Sequence, residues 1–155
     1  MLKYDNYQIV FREFPDEVTL AINLTMCPNR CRDCHSPQLR EDYGTELTRN
    51  EIDRLVAENK GITCIGFMGG DNDVDSVLNL SVYIHGEYGL ATGWYSGRDG
   101  ILENVLDVRT LDYVKVGHYD PECGSIDKRT TNQRMYHLCG GVYEDVTPLF
   151  WKEVK

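Results

Sequence analysis

The sequence predicts an α/β fold with a mainly parallel sheet, and three observations predict it. Apolar, β-branched runs recur at residues 18–25, 62–68, 90–95 and 113–118. Stretches with helical spacing of apolar residues lie between them. The punctuation between segments is short and polar, with no long linker. Strands separated by helical segments require crossover connections, hence parallel pairing. A chain of 155 residues suits one core, so a single domain over 1–155 is expected, with its core at about 18–118.

Taken in order, residues 7–14 can add an edge strand. Residues 18–25 (VTLAINLT) read as a buried strand ending just before a cysteine-rich loop. Thr48 and Glu51 form a T-x-x-E capping box, Ile52, Leu55 and Val56 give the helical stripe, and Gly61 stands where a C′ residue would. Residues 62–68 form the next strand, closed by Gly69-Gly70. Asp73 can cap a helix whose stripe runs Val74, Val77, Leu78 and Val82, up to Gly86 or Gly89. After the strand at 90–95, a helix over 98–107 is expected from Ile101, Leu102, Val105 and Leu106, then the strand at 113–118. Residues 119–155 carry Pro121, Gly124, Gly140-Gly141 and Pro148 and few apolar residues, so they are expected to wrap the domain irregularly.

Hydrophobic residues make up 41% of the chain, which argues against disorder. The net charge of −9 is the wrong sign for a broad phosphate-binding surface, so nucleic acid is not an expected partner. No apolar run has transmembrane length and the first residues do not resemble an export leader, so a cytoplasmic protein without membrane contact is expected.

Six cysteines are present, and three of them fall within eight residues: Cys27, Cys31 and Cys34. Thiolates at this density hold zinc or an iron–sulfur cluster. A C-x3-C-x2-C loop turns three side chains toward one centre. Without a fourth cysteine nearby, a cubane cluster would keep one iron open, as catalytic centres do. The alternative is a Cys3His zinc site that uses His35, although adjacent residues such as Cys34 and His35 rarely ligate one tetrahedral ion together. Cys64 lies inside a strand and reads as a small core residue. Cys123 and Cys139 read as free thiols open to oxidation. His85, His118 and His137 have no ligand spacing to one another.

The loop CPNRCRDCH resembles the cysteine signature of the radical S-adenosylmethionine superfamily. Four further segments resemble one branch of it, the activating proteins of anaerobic ribonucleoside-triphosphate reductase. They are His35-Ser36-Pro37-Gln38-Leu39, Met68-Gly69-Gly70-Asp71, Asp112-Tyr113-Val114-Lys115-Val116-Gly117, and Thr131-Asn132-Gln133-Arg134. The likeness covers residues 18–135. It implies a partial, open (β/α) barrel, a truncated version of the superfamily's.

The resemblance also implies a reaction. Cys27, Cys31 and Cys34 would ligate three irons of a [4Fe–4S] cluster, and the amino and carboxylate groups of S-adenosylmethionine would chelate the fourth. One electron into the sulfonium would give methionine and a 5′-deoxyadenosyl radical, which would take a hydrogen from a glycine Cα of the reductase. By the same likeness Gly69, Gly70 and Asp71 would hold the methionine ammonium, and Asp33, Cys34 and His35 would lie against the adenine. A flavodoxin-type protein would supply the electron. Arg98 can pair with the cosubstrate carboxylate or stay solvated. Lys115 can face the open side of the sheet or extend outward from an edge. Asn72 departs from the branch, where proline often follows Gly-Gly-Asp. The alternatives are an activase of another glycyl-radical enzyme, a small-molecule radical enzyme, a simple electron carrier, and a non-catalytic zinc-binding module.

Overall fold

A computed structural model describes residues 1–29, 37–101 and 103–151. Among the described residues eight strands form one sheet in the order β3-β1-β2-β4-β5-β6-β7-β8. They are β1 (Lys3–Val10), β2 (Thr19–Leu24), β3 (Thr45–Glu46), β4 (Cys64–Met68), β5 (Ala91–Tyr95), β6 (Tyr113–Val116), β7 (Arg134–Cys139) and β8 (Val142–Asp145). The helices are α1 (Arg49–Glu58), α2 (Val74–Tyr88) and α3 (Glu103–Val108).

The four central strands β2, β4, β5 and β6 are parallel, whereas the pairs β1·β2, β1·β3, β6·β7 and β7·β8 are antiparallel. The expectation of a mainly parallel sheet is therefore corrected: the fold is mixed α/β, parallel at the centre and antiparallel at both flanks. Each crossover advances the chain by one strand in the same direction. With uniform handedness this puts α1, α2 and α3 on one face. There Ile52 and Leu55 of α1, Val77 and Ile84 of α2, and Val105 of α3 pack against Leu20, Ile22, Ile65, Phe67, Trp94 and Val114.

The other face is closed by the segment between β1 and β2. Its Phe14 is fully buried with Cys64, Tyr113 and Met135. Gly66 and Gly93 are paired neighbours on β4 and β5. A Cβ on Gly66 would come within 2.7 Å of the Phe14 ring, and one on Gly93 within 2.4 Å, so the two glycines make room for that ring. Tyr95 Oη donates to the Glu13 carbonyl (2.6 Å) and Tyr113 Oη to that of Pro15 (3.0 Å), fixing the segment at both ends.

The four central strands and two of the helices fall where their signals predict, whereas the edge strand expected over 7–14 is β1 at Lys3–Val10, and residues 11–14 belong to the segment that carries Phe14. Thr48 caps α1 by accepting from Glu51 N at 3.2 Å, while the Glu51 carboxylate pairs with Arg54. Asp73 caps α2 by accepting from Ser76 N, and Gly89 ends it in the left-handed region. Val82 lies about 140° round the helix from Val77 and is exposed. The helix expected over 98–107 shortens to α3, because residues 96–98 are drawn into the site described below.

The larger correction concerns residues 119–155, expected to be irregular: β7 and β8 extend the sheet there. Gly140 and Gly141 (φ 56° and 82°) make the two-residue turn, the geometry of a type I′ hairpin. β6 is consequently an interior strand. Among the described residues no helix is long and apolar enough to cross a membrane.

Candidate functional site

Parallel strands that share a direction deliver their outgoing loops to one edge, where α/β folds build their sites. Here the loops after β2, β4, β5 and β6 all leave the sheet at that edge. The first begins the cysteine segment. Met26 sits in the left-handed region (φ 60°), and Met26 N and Cys27 N donate to the carbonyls of Glu41 (3.1 Å) and Leu39 (2.9 Å). The loop is thus closed at its base, with half-buried Cys27 at the point of departure. Cys31, Asp33, Cys34 and His35 lie outside the described residues.

The second loop carries Gly69-Gly70-Asp71. Gly69 and Gly70 both hold positive φ (111° and 100°), which favours glycine. A Cβ on Gly70 would also stand 2.7 Å from Val77 Cγ2. Trp94 Nε1 donates to the Gly69 carbonyl (2.7 Å), and Asp73 N to that of Gly70 (3.0 Å). Asn72 occupies the exposed third position of that turn, so its departure from the branch pattern affects the turn and leaves the carboxylate beside it in place.

Asp71 is the centre of the site. Its side chain is 2% exposed. Oδ1 accepts from Ser96 Oγ (2.6 Å), and Oδ2 accepts from Asn29 Nδ2 (2.6 Å) and Gly97 N (2.8 Å). Arg98 Nη2 donates to the Asp71 carbonyl at 3.2 Å, and its Nε stands 3.7 Å from Oδ1. A buried carboxylate needs such donors: three protein groups hydrogen-bond it, and the Arg98 guanidinium adds a longer ion pair. The contact ties Arg98 to Asp71, with its side chain still 45% exposed.

The network continues across the sheet edge. Gly117 N donates to the Arg98 carbonyl (2.5 Å), and Ser96 N to that of Lys115 (2.8 Å). His118 donates from its backbone N and pairs through Nδ1 (2.7 Å) with Asp99, whose carboxyl is held below the usual range by those bonds. From the late segment, Asn132 Nδ2 donates to the His118 carbonyl (3.0 Å) and Gln133 Nε2 to the Gly117 carbonyl (3.2 Å). Residues 27–29, 69–71, 96–99, 117–118 and 132–133, scattered over more than 100 positions, meet along one edge.

Beside that edge, on the Phe14 face, lie half-buried Met68, Tyr95 and Lys115. Lys115 Nζ stands 4.3 Å from the Tyr95 ring centroid, so the side chain faces across the sheet from an interior strand. The reading in which it extends from an edge is corrected.

The remaining cysteines take no part in this site. Burial pushes the Cys64 thiol strongly upward. Burial first, then Asp120 for Cys123 and Glu144 for Cys139, raises those two thiols as well. All three are free and stay protonated at neutral pH, so the oxidation expected of Cys123 and Cys139 is slowed. Among the described residues no group of three or more His, Cys, Asp or Glu side chains is placed to hold a metal ion. Sequence reasoning missed Asn29 and the Ser96-Gly97 pair as site residues. Their signal was a small polar turn directly after an apolar strand. No family model, curated protein or solved structure matches the chain.

Proposed function

We propose that this protein is a radical S-adenosylmethionine oxidoreductase, a glycyl-radical activase for anaerobic ribonucleoside-triphosphate reductase. The observation that carries the reading is the meeting of residues 27–29, where the cysteine loop begins, with the Gly-Gly-Asp, Gly117 and Asn132-Gln133 segments at one sheet edge. Four parallel strands with every crossover helix on one face are also what a partial, open (β/α) barrel requires.

The donor set fits a [4Fe–4S] cluster: three soft thiol ligands on one loop, the first half-buried where the sheet ends. Cys27, Cys31 and Cys34 would hold it, leaving one iron for the cosubstrate. A cluster held by these three cysteines would supply one-electron reductive chemistry to the bound cosubstrate.

The chain's own residues supply position and the exclusion of water. Gly69 and Gly70 let the backbone approach a ligand closely, because neither has a Cβ. Asn29, Ser96 and Gly97 donate to the Asp71 carboxylate and Arg98 Nε stands 3.7 Å away, so a cosubstrate ammonium would bind there by joining these groups or displacing one of them. Asp33 and His35 would flank the adenine. A bound molecule and the partner's glycine would approach the strand ends nearer Cys27, where Met68, Tyr95 and Lys115 lie half-buried beside the Phe14 cluster.

The test is turnover without oxygen. Reconstituted protein given a reductant and S-adenosylmethionine should release methionine and 5′-deoxyadenosine, and Cys31→Ala should abolish release while remaining soluble. Full cleavage by Cys31→Ala would remove the cluster assignment. Colour without cleavage would favour an electron carrier, and a colourless zinc protein a binding module.

A further inference from the structure

Asn29 lies two residues past Cys27, and its side-chain amide has two contacts. Nδ2 is 2.6 Å from Asp71 Oδ2 and 3.7 Å from Cys27 Sγ, an N–H···S separation. An ionised carboxylate only accepts, so the amide must present its nitrogen to Asp71, and its two N–H groups serve the two acceptors. Asp71 is fixed in turn by Ser96 Oγ and Gly97 N. Gly97 leaves space for the amide: a Cβ there would come within 2.6 Å of Asn29 Nδ2.

Resting on the cluster reading proposed above, we infer that Asn29 is a positioning residue that ties the first cluster ligand to the ends of β4 and β5. One N–H latches the loop to Asp71. The other donates to the Cys27 sulfur, where it favours the more negatively charged, reduced state of whatever that sulfur ligates. Gly97 is a glycine for lack of space, since its φ is not in the left-handed region.

The experiment compares wild type, Asn29→Ala, Asn29→Asp and Gly97→Ala after oxygen-free reconstitution. The readouts are iron and sulfide content, the rate of iron loss to a chelator, and the midpoint potential by EPR-monitored titration. Asn29→Asp is nearly isosteric but replaces both donors with an acceptor facing Asp71. All three variants should lose iron about tenfold faster, and both Asn29 variants should reduce at lower potential. A merely structural role would leave the potential in place. Gly97→Ala keeps Asn29 intact and preserves the test if an Asn29 variant fails to fold. Wild-type retention and potential in all the folded variants would overturn the latch while leaving the cluster reading standing. A wild-type protein that binds no iron or sulfide would overturn both.

Discussion

Phe14 has no counterpart on the sheet surface beneath it except space, and that space is made by Gly66 and Gly93. A methyl group at Gly93 would stand 2.4 Å from the ring, surrounded by Tyr95 and Tyr113 at centroid distances of 5.1 and 5.5 Å. The ring cannot retreat without disturbing both tyrosines. Gly93→Ala should therefore destabilise the fold by about 1–3 kcal/mol. Phe14→Ala should cost about 3–5 kcal/mol through the cavity it leaves. Denaturant midpoints measured at unchanged m-value check both. If Gly93→Ala were neutral, the account of the glycine pair as a ring seat would fail.

At the scale of elements, α1 is tied to α2 by one carboxylate. Tyr83 and Tyr88 of α2 donate to Asp53 Oδ1 of α1 at 2.7 and 2.5 Å. The bonds hold the Asp53 carboxyl below its ordinary 3.8, Tyr83 contributing most. They also push the Tyr88 hydroxyl up to about 12, again through Asp53. A depressed folded pKa stabilises the fold above the unfolded value, and the gain is lost as pH falls through the folded one. The stability lost in Asp53→Asn should thus be present at pH 6 and shrink below about pH 3.8. Thermal unfolding of both proteins across that range reads the difference. In the β7–β8 hairpin both turn residues need positive φ, so Gly141→Ala should cost about 1–2 kcal/mol, while Gly140→Asn should be nearly neutral.

These elements also show what was legible in the sequence. Strands and caps with strong local chemistry could be read directly: the buried run before Cys27, Thr48 before α1, Asp73 before α2. The C-terminal hairpin was misread, although Gly-Gly is a hairpin signal, because β8 is short and β7 mixes Arg134 and His137 among its apolar residues. β8 is exposed at three of its four positions, so it lacks the apolar run by which a strand is recognised. The start of α3 was misplaced for a different reason. Residues 96–98 are held by Asp71, 25 positions or more away, and no local pattern records a long-range hydrogen bond. For the site, the cysteine loop and Gly-Gly-Asp were legible as motifs, but the Asn29–Asp71–Gly97 contact exists only once the strands are side by side.

At the scale of the whole molecule, antiparallel additions flank the four parallel strands on both sides. The site therefore lies at the ends of the central strands, near the middle of the strand order. The net charge of −9 is the wrong sign for a broad phosphate-binding surface, and the proposed partner is a protein carrying the target glycine. Incubation with anaerobic ribonucleoside-triphosphate reductase, reductant and S-adenosylmethionine should generate a glycyl-radical EPR signal on the reductase. If the signal forms on a different glycyl-radical enzyme alone, the activase reading holds but its partner changes.

The most direct test is elemental analysis and EPR of protein prepared without oxygen. The account predicts about four iron and four sulfide per chain, with a reduced-cluster signal that changes when S-adenosylmethionine is added. Stoichiometric zinc in place of iron and sulfide would contradict it.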